Sequence, residues 1–526
     1  MSRMTGDMSR EELEKIRSLM VEQIKEKLPV APGRLTGTAM VGFIAACLLR
    51  VLYNLFFHPL RSYPGPVIAR ASRLYYAYYL NQGTLSEKIR KLHEKYGNCV
   101  RIAPDELSYT NAEAWQEICG RASGKSQDFE KDRTFYPIAP NGIDSIITAR
   151  WDVHHRFRRL LSHPLSEKAL AAQEEIIMSY VDQFIEGLKN ESKSAKTNGV
   201  VEMVRWFTFI SWDILGDLAF GEPFGCLKTH KLHSWITLIH TAVKSALNLQ
   251  TMQRFIPGLF GMVMGLMSIL GSAMAQNPMD NFMFCARKAR ERLGKDLDRP
   301  DFMTYILQAN DENGMSQEEI ESNSQVLIDA GTETVATALS GIFYYLIRNP
   351  RCHHLLEAEV RSQFHGSHEI TILSTQRLPY LKAVIEEGMR MHPPAPGTFP
   401  RTTPPGGAMI CGKFVPGGYS VGVNQCAVTR SPENFLAPDE FAPERWMGDE
   451  RFSEDRKAAF QPFSYGPRNC IGKNLAYAEM RLVLTKMLWH FDIELQEDSM
   501  NWAQGQKTNM YWEMGDMNVQ LKEVVR

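Results

Sequence analysis

Apolar and polar positions divide this chain into stretches of different period. Residues 9–28, SREELEKIRSLMVEQIKEKL, mix charge and apolar side chains at helical spacing and predict an amphipathic helix, ended by Pro29, Pro32 and Gly33. From Leu35 to Leu49 no charge occurs, then Arg50 interrupts before VLYNLFF. Fifteen uncharged residues fall short of the ~20 that span a bilayer. Counting through Phe57 reaches that length, with Arg50 off-centre, where it can snorkel. Residues 35–57 are therefore a candidate single-pass anchor, the alternative being a buried core helix. Pro59, Pro64, Gly65 and Pro66 then make a hinge.

Beyond the hinge, Leu85–Tyr96 reads as a helix, CVRIAPDELSY as a strand pair, and FEKDRTFYPIAPNGIDSIITA as a loop without a clean period. Residues 255–279 carry no charge, are rich in methionine, and suggest an adaptable apolar surface that dips into a bilayer. Ser316 and Glu319 form an S-x-x-E capping box before a long apolar pattern that runs to Asn349-Pro350. Such a helix of roughly thirty residues would be about 45 Å long. Its middle, DAGTETVAT, forfeits on the order of 2 kcal/mol of helix propensity. A local rule broken inside a well-capped helix points to function, against the alternative of close packing through small residues. Near the C-terminus a Gly/Pro-rich turn precedes a helix whose apolar face is Leu475, Ala478, Leu482 and Met487.

Composition adds exclusions. The 526 residues are 44% hydrophobic and 23% charged with net charge −1, an ordinary globular balance that argues against nucleic acid as the main partner. No linker rich in Gly, Pro or Ser separates domains. Nine cysteines, an odd number without C-x-x-C, argue against a disulfide framework or zinc site and fit a reducing compartment.

The chemistry concentrates on FSYGPRNCIGKNLAYAEMRLVL. Cys470 lies just before a helix N-terminus, where the helix dipole favours a thiolate, the form that ligates metal. Arg468 adds positive charge, and Gly466 and Gly472 let the backbone turn tightly and a flat ligand come close. A lone cysteine there would be an ordinary buried thiol. Phe463, Gly466, Arg468, Cys470 and Gly472 together reproduce F-x-x-G-x-R-x-C-x-G, however, which resembles the haem-binding loop of cytochrome P450 enzymes.

The resemblance covers nearly everything after residue 50 and implies a mainly α fold with small β-sheets, triangular in outline. The expected division is a polar amphipathic segment at 1–34, a membrane anchor at 35–57 and a haem domain at 58–526. Cys470 would be the axial thiolate on the iron of haem b, with Phe463 beside the sulfur, and a thiolate ligand favours O–O cleavage. Arg468, Arg158 and Arg401 would hold haem propionates, with His154 where the family commonly has tryptophan and Trp151 nearby. Ala330, Gly331, Glu333 and Thr334 match A-G-x-[D/E]-T. Small Ala330 and Gly331 would make room over the haem, Thr334 would hydrogen-bond at the oxygen site, and Glu333 would relay protons. Val335 departs mildly from the usual Thr or Ser. Glu387 and Arg390, as E-x-x-R, with Arg445 of FAPERW, would form a buried structural network.

These residues imply a monooxygenase acting on an apolar small molecule with O2, its electrons coming from NADPH through a separate cytochrome P450 reductase. Arg156, Arg159 and Lys473 are candidate docking contacts for that reductase. The setting implied is the endoplasmic reticulum membrane, with the catalytic domain cytosolic. YNLFFHPLRSYPGPV and FEKD-x-x-FY resemble fungal enzymes that tailor terpenoids, polyketides or alkaloids. Xenobiotic oxidation, and dehydration, isomerisation or radical coupling without net oxygen insertion, are the alternatives. A haem protein that only carries a ligand or electrons is a further one. Residues 255–279 and the stretch after Pro394 are expected along the substrate's path, with short strands through Trp502 and Tyr511-Trp512 at the far wall.

Overall fold

The computed structural model describes residues 34–121, 128–195, 198–255, 258, 260–269, 272–295, 299–308 and 314–525. The helix expected over 9–28 lies outside them. The apolar run folds as helix α1 (Arg34–Leu52), which widens into a π-turn at Tyr53–Phe57. Phe43, Leu49, Phe56 and Phe57 stand exposed on it. The base of this stalk is clamped. Arg101, fully buried, donates to the Asn54 carbonyl at 3.1 Å and to the Pro104 carbonyl at 2.9 Å, while Asn54 Nδ2 donates to the Ala71 carbonyl at 2.8 Å.

Five strands form the main sheet: β1 (Cys99–Ala103), β2 (Glu106–Tyr109), β3 (Glu130–Lys131), β4 (Arg401–Thr402) and β5 (Ser420–Val423). Their order is β1-β2-β5-β4-β3, with β2 and β5 parallel and the other neighbours antiparallel. β1 and β2 are the strand pair expected from CVRIAPDELSY. β3 is a two-residue strand inside the stretch read as a loop, and its register sets Lys131 opposite Arg401.

The helices that position the site are α2 (Glu113–Cys119), α3 (Trp151–Ser162), α4 (Met203–Phe220), α5 (Ser234–Phe255), α6 (Ala273–Leu293), α7 (Gln317–Ile347), α8 (Pro379–Met391) and α9 (Lys473–His490). α7 is the axis. Its start carries both arms of the capping box: Glu319 N donates to Ser316 Oγ at 3.3 Å, and Ser316 N to Glu319 Oε2 at 2.9 Å. It ends at Ile347, because Pro350 opens the following helix. α4, α6, α8 and α9 all pack on α7.

Among the described residues, α7 is the helix long and apolar enough to cross a membrane, and most of it is buried in the core. The apolar helical run Val41–Phe57 is shorter. The uncharged stretch 255–279 divides into the end of α5, a short helix Phe260–Ile269 and the start of α6, with exposed Phe255, Met262, Leu266 and Met279.

Candidate active site

The cysteine loop is drawn tight by its backbone. Cys470 N donates to the Phe463 carbonyl at 2.8 Å, Gly466 to Arg468 form a 3₁₀ turn, and Gly472 caps α9. The ring of Phe463 packs on Tyr477. Gly466 has φ +75, and a Cβ there would sit 2.1 Å from the Cys119 carbonyl oxygen at the end of α2. Its missing side chain therefore accommodates protein backbone, not the flat ligand expected from the sequence. Gly472 is open by comparison: the nearest atom to a methyl added there would be Cys470 Sγ at 4.0 Å.

Burial pushes the Cys470 thiol up, against smaller lowering effects from the Gly472 N–H and the charges of Arg158 and Lys473. Desolvation outweighs the helix terminus. Yet the side chain is exposed. A sulfur that is both desolvated and open to a solvent-sized space faces an internal cavity.

A cluster of cations stands beside this loop. Arg468 donates from Nη1 to the Ala149 carbonyl at 2.8 Å and from Nη2 to Glu130 Oε2 at 3.2 Å, and its guanidinium lies over the Trp151 ring at 5.3 Å. Its Nε is buried without a hydrogen-bond partner. Arg401, also buried, reaches the Phe129 carbonyl at 3.5 Å. Lys131 is desolvated and contacts the Tyr136 hydroxyl at 3.3 Å; burial and the charges of Arg401 and Arg468 hold its ammonium well below the usual lysine range. Buried His154 stacks on Trp151. Burial, then Arg468, Arg158, Lys131 and Arg401, push it down to about 3, so it is neutral. Burial and Arg401 bring Arg468 down to about 10.

Buried Arg468 and Arg401 with desolvated Lys131, facing half-exposed Glu130 and the charge of Asp128, still call for an anion from elsewhere. The two carboxylates of a haem meet that need, and the cavity-facing thiol supplies an iron ligand. The residues present fit the group. Lys131 was not anticipated, because its relation to Arg401 arises only through strand pairing. Arg158 behaves differently from the expectation: Nη1 donates to the Asn469 carbonyl at 2.7 Å and Nη2 to Asn469 Oδ1 at 2.6 Å. It braces the cysteine loop. Arg156 is paired with Glu319 at 2.6 Å and also bonds the Gly314 carbonyl, so it ties α3 to the start of α7. That commitment removes it from the candidate docking contacts, whereas Lys473 is exposed.

On α7, Ala330 is exposed in the middle of a helix whose flanks are buried, so it opens onto a cavity. Thr334 Oγ1 donates to the Ala330 carbonyl at 2.6 Å. Gly331 does not open onto that space: a Cβ there would meet Leu215 Cδ2 of α4 at 2.6 Å. For this glycine, close helix packing is the reason. Glu333 Oε1 accepts from Trp212 Nε1 of α4 at 3.1 Å and bonds His240 Nε2 of α5 at 2.9 Å. Neither partner was visible in the sequence.

Behind the loop, Glu387, Arg390 and Arg445 are fully buried together. Arg390 donates to both Glu387 oxygens at 2.8 Å, Arg445 Nε to Oε1 at 3.4 Å, Ala442 N to Oε1 at 2.9 Å and Trp446 Nε1 to Oε2 at 2.9 Å. Arg445 also pairs with Asp455. Burial alone would raise the Glu387 carboxyl, but the two arginines outweigh it and hold it below its usual range. Across the molecule, Phe135, Leu247, Phe399 and Met510 line one cleft. It joins the loop before α3, the end of α5, the stretch after Pro394 and the C-terminal hairpin Lys507–Thr508/Trp512–Glu513.

Comparison with known proteins matches residues 66–512 to the family described as Cytochrome P450. The chain is 56% identical over 486 residues to Cytochrome P450 monooxygenase aclL of Aspergillus oryzae, covering 92% of this chain and 98% of that protein. It is 39% identical over 491 residues to Versicolorin B desaturase stcL of Emericella nidulans, covering 92% and 97%. It is 38% identical over 517 residues to Fusicoccadiene 8-ol C-16-hydroxylase of Phomopsis amygdali, covering 94% and 95%.

Proposed function

The chain belongs to the cytochrome P450 family and is a haem-thiolate monooxygenase, and from that premise we propose how its own residues serve the reaction. Cys470 ligates the iron, Arg468, Arg401 and Lys131 hold the haem carboxylates, and neutral His154 donates a hydrogen bond among them. Bound there, haem supplies dioxygen binding and its reductive activation. The remaining work falls to side chains of α7. Ala330 leaves room for substrate and oxygen. Thr334 offers its hydroxyl at the cavity wall, and Glu333 moves protons toward it. Glu387, Arg390 and Arg445 keep the polypeptide under the cysteine loop rigid and are structural.

The substrate is an apolar small molecule of fungal secondary metabolism, oxidised once or more. The observation that carries this reading is the cavity-facing thiol of Cys470 beside Arg468, Arg401 and Lys131, whose positive charge exceeds what the half-exposed Glu130 can balance. Reduced protein under carbon monoxide should show the strongly red-shifted absorption of a thiolate-ligated haem. Turnover under labelled dioxygen should place one labelled atom in the product, and a product without label would overturn net oxygen insertion. The similarity to a desaturase favours one second reading, removal of two hydrogens from the substrate with both oxygen atoms leaving as water. The same labelling experiment separates the two.

We propose in addition that residues 35–57 anchor the protein in the endoplasmic reticulum membrane with the catalytic body cytosolic. Exposed Phe255, Met262 and Leu266 would rest against the same bilayer. A separate NADPH-dependent reductase delivers electrons on the cysteine side, near Lys473. A chain truncated before residue 58 that still sediments with microsomes only through residues 255–279 would reassign the anchor.

A further inference from the structure

Glu333 must be recharged with a proton from solvent each time it gives one up, and it is nearly buried in α7. Of its two neighbours, Trp212 is an indole that only donates, with no proton to give at neutral pH. His240 is different. It bonds the same oxygen, Oε1, at 2.9 Å from the facing helix α5, and 49% of its side chain is exposed. One end of the imidazole therefore touches the buried acid while the rest of the ring meets open space. We propose that His240 is a positioning residue that relays solvent protons to Glu333, gating proton supply to the site. The proposal rests on the reading of Glu333 and Thr334 as the proton-delivery pair.

The step balances without another reactant. The imidazolium gives its Nε2 proton to Glu333 Oε1; the N–H bond breaks, the O–H bond forms, and both charges are neutralised. The neutral ring keeps its Nδ1 proton, so its bare Nε2 is recharged when the half-exposed ring swings away from the acid and takes a proton from hydronium, which leaves as water. The charges around the ring come from three elements: Glu333 on α7, Lys244 one turn along α5, and Glu513 on the C-terminal hairpin. Lys244 and Glu513 pair with each other at 2.7 Å, which leaves Glu333 as the dominant influence. The facing α6 contributes uncharged Asn277, bonded to Ser245. The hydrogen bond with Glu333 raises the His240 pKa above its ordinary value, against burial, so the ring holds its proton to higher pH than a free imidazole does.

The test uses the full-length haem-loaded enzyme with reductase and compares His240→Gln, His240→Ala and Glu333→Gln. Glutamine keeps an N–H donor toward Glu333 but cannot change charge. His240→Gln should keep the native absorption spectrum yet lose about tenfold in product per NADPH, below the ~10²–10⁴ of direct acid–base catalysis. The decline of coupling as pH rises through the His240 titration should vanish with it. In the oxidised resting protein, the imidazole C–H resonance missing from His240→Gln should titrate above ~6.5 in the native chain and fall back in Glu333→Gln. A native pH profile and native coupling in His240→Gln would overturn the relay and leave a merely structural contact. Native coupling in Glu333→Gln would instead remove the underlying role of the acid. An unshifted resonance would break the link between the two residues whatever the turnover data show.

Discussion

Arg158 places both arms of its guanidinium on Asn469, the residue immediately before Cys470. One arm meets the backbone carbonyl and the other the side-chain oxygen, so the fork fixes the orientation of the peptide that carries the thiol. Lysine is a point charge on a flexible stem and cannot reproduce this. Arg158→Lys should loosen the loop by about 2 kcal/mol. The measurement is the rate of haem loss to an acceptor protein, which should rise; native retention would mean the fork is dispensable.

Two glycines of the same loop should respond oppositely. Gly466 has a left-handed backbone and faces the Cys119 carbonyl at close range. Gly466→Ala should cost at least ~2 kcal/mol, from backbone strain plus displacement of α2. Gly472 has neither constraint, so Gly472→Ala should fold normally. Thermal unfolding of the two variants side by side decides it, and equal midpoints would refute the contrast.

Breaking the buried network behind the loop should be severe. Glu387→Ala leaves Arg390 and Arg445 without their shared carboxylate in a fully buried setting, a loss of about 3–5 kcal/mol. Glu387→Gln keeps the shape and part of the hydrogen bonding and should fall between. Urea unfolding gives the order, and an alanine variant as stable as the native chain would show that the arginines find other partners.

Glu479, on α9, is 3% exposed, and burial raises its carboxyl from 4.5 to about 8. The fold prefers it protonated. Its contribution is therefore complete below ~4.5, fades as pH rises and is lost through about 8. Glu479→Gln should match the native protein at pH ~5 and exceed it by a growing margin up to pH ~8. Denaturant midpoints across that range check the slope; parallel curves would show that the carboxyl is not neutral in the fold.

Thr334→Ala removes the hydroxyl that bonds the Ala330 carbonyl. NADPH consumption should continue while hydrogen peroxide rises at the expense of product. A protein that merely carries a ligand would be unaffected. Peroxide and product measured in one reaction distinguish the cases.

Much of this architecture was readable from the chain because its determinants are local. The capping box at Ser316 and Glu319, the i,i+3 pair Glu387 and Arg390, and the ten residues around Cys470 each announce themselves within one or two helical turns. What escaped is non-local. His240 meets Glu333 across 93 residues of sequence, and Trp212 meets it across 121. Lys131 joins the cations only because two short strands align. Local reading also misassigned causes: Gly331 and Gly466 looked like room for a ligand but make way for Leu215 and the Cys119 carbonyl. Arg156 looked like a free surface charge until α3 and α7 came together. At Cys470 the helix start and burial pull the thiol in opposite directions, and only the first is visible in the sequence.

The clamp of Arg101 on Asn54 has mechanical meaning. A body joined to its stalk through a slack linker would swivel, presenting its mouth at random heights and angles. Here a guanidinium locked between two carbonyls makes stalk and body one lever. With residues 35–57 held in the membrane proposed above, the catalytic body would keep a constant bearing toward it.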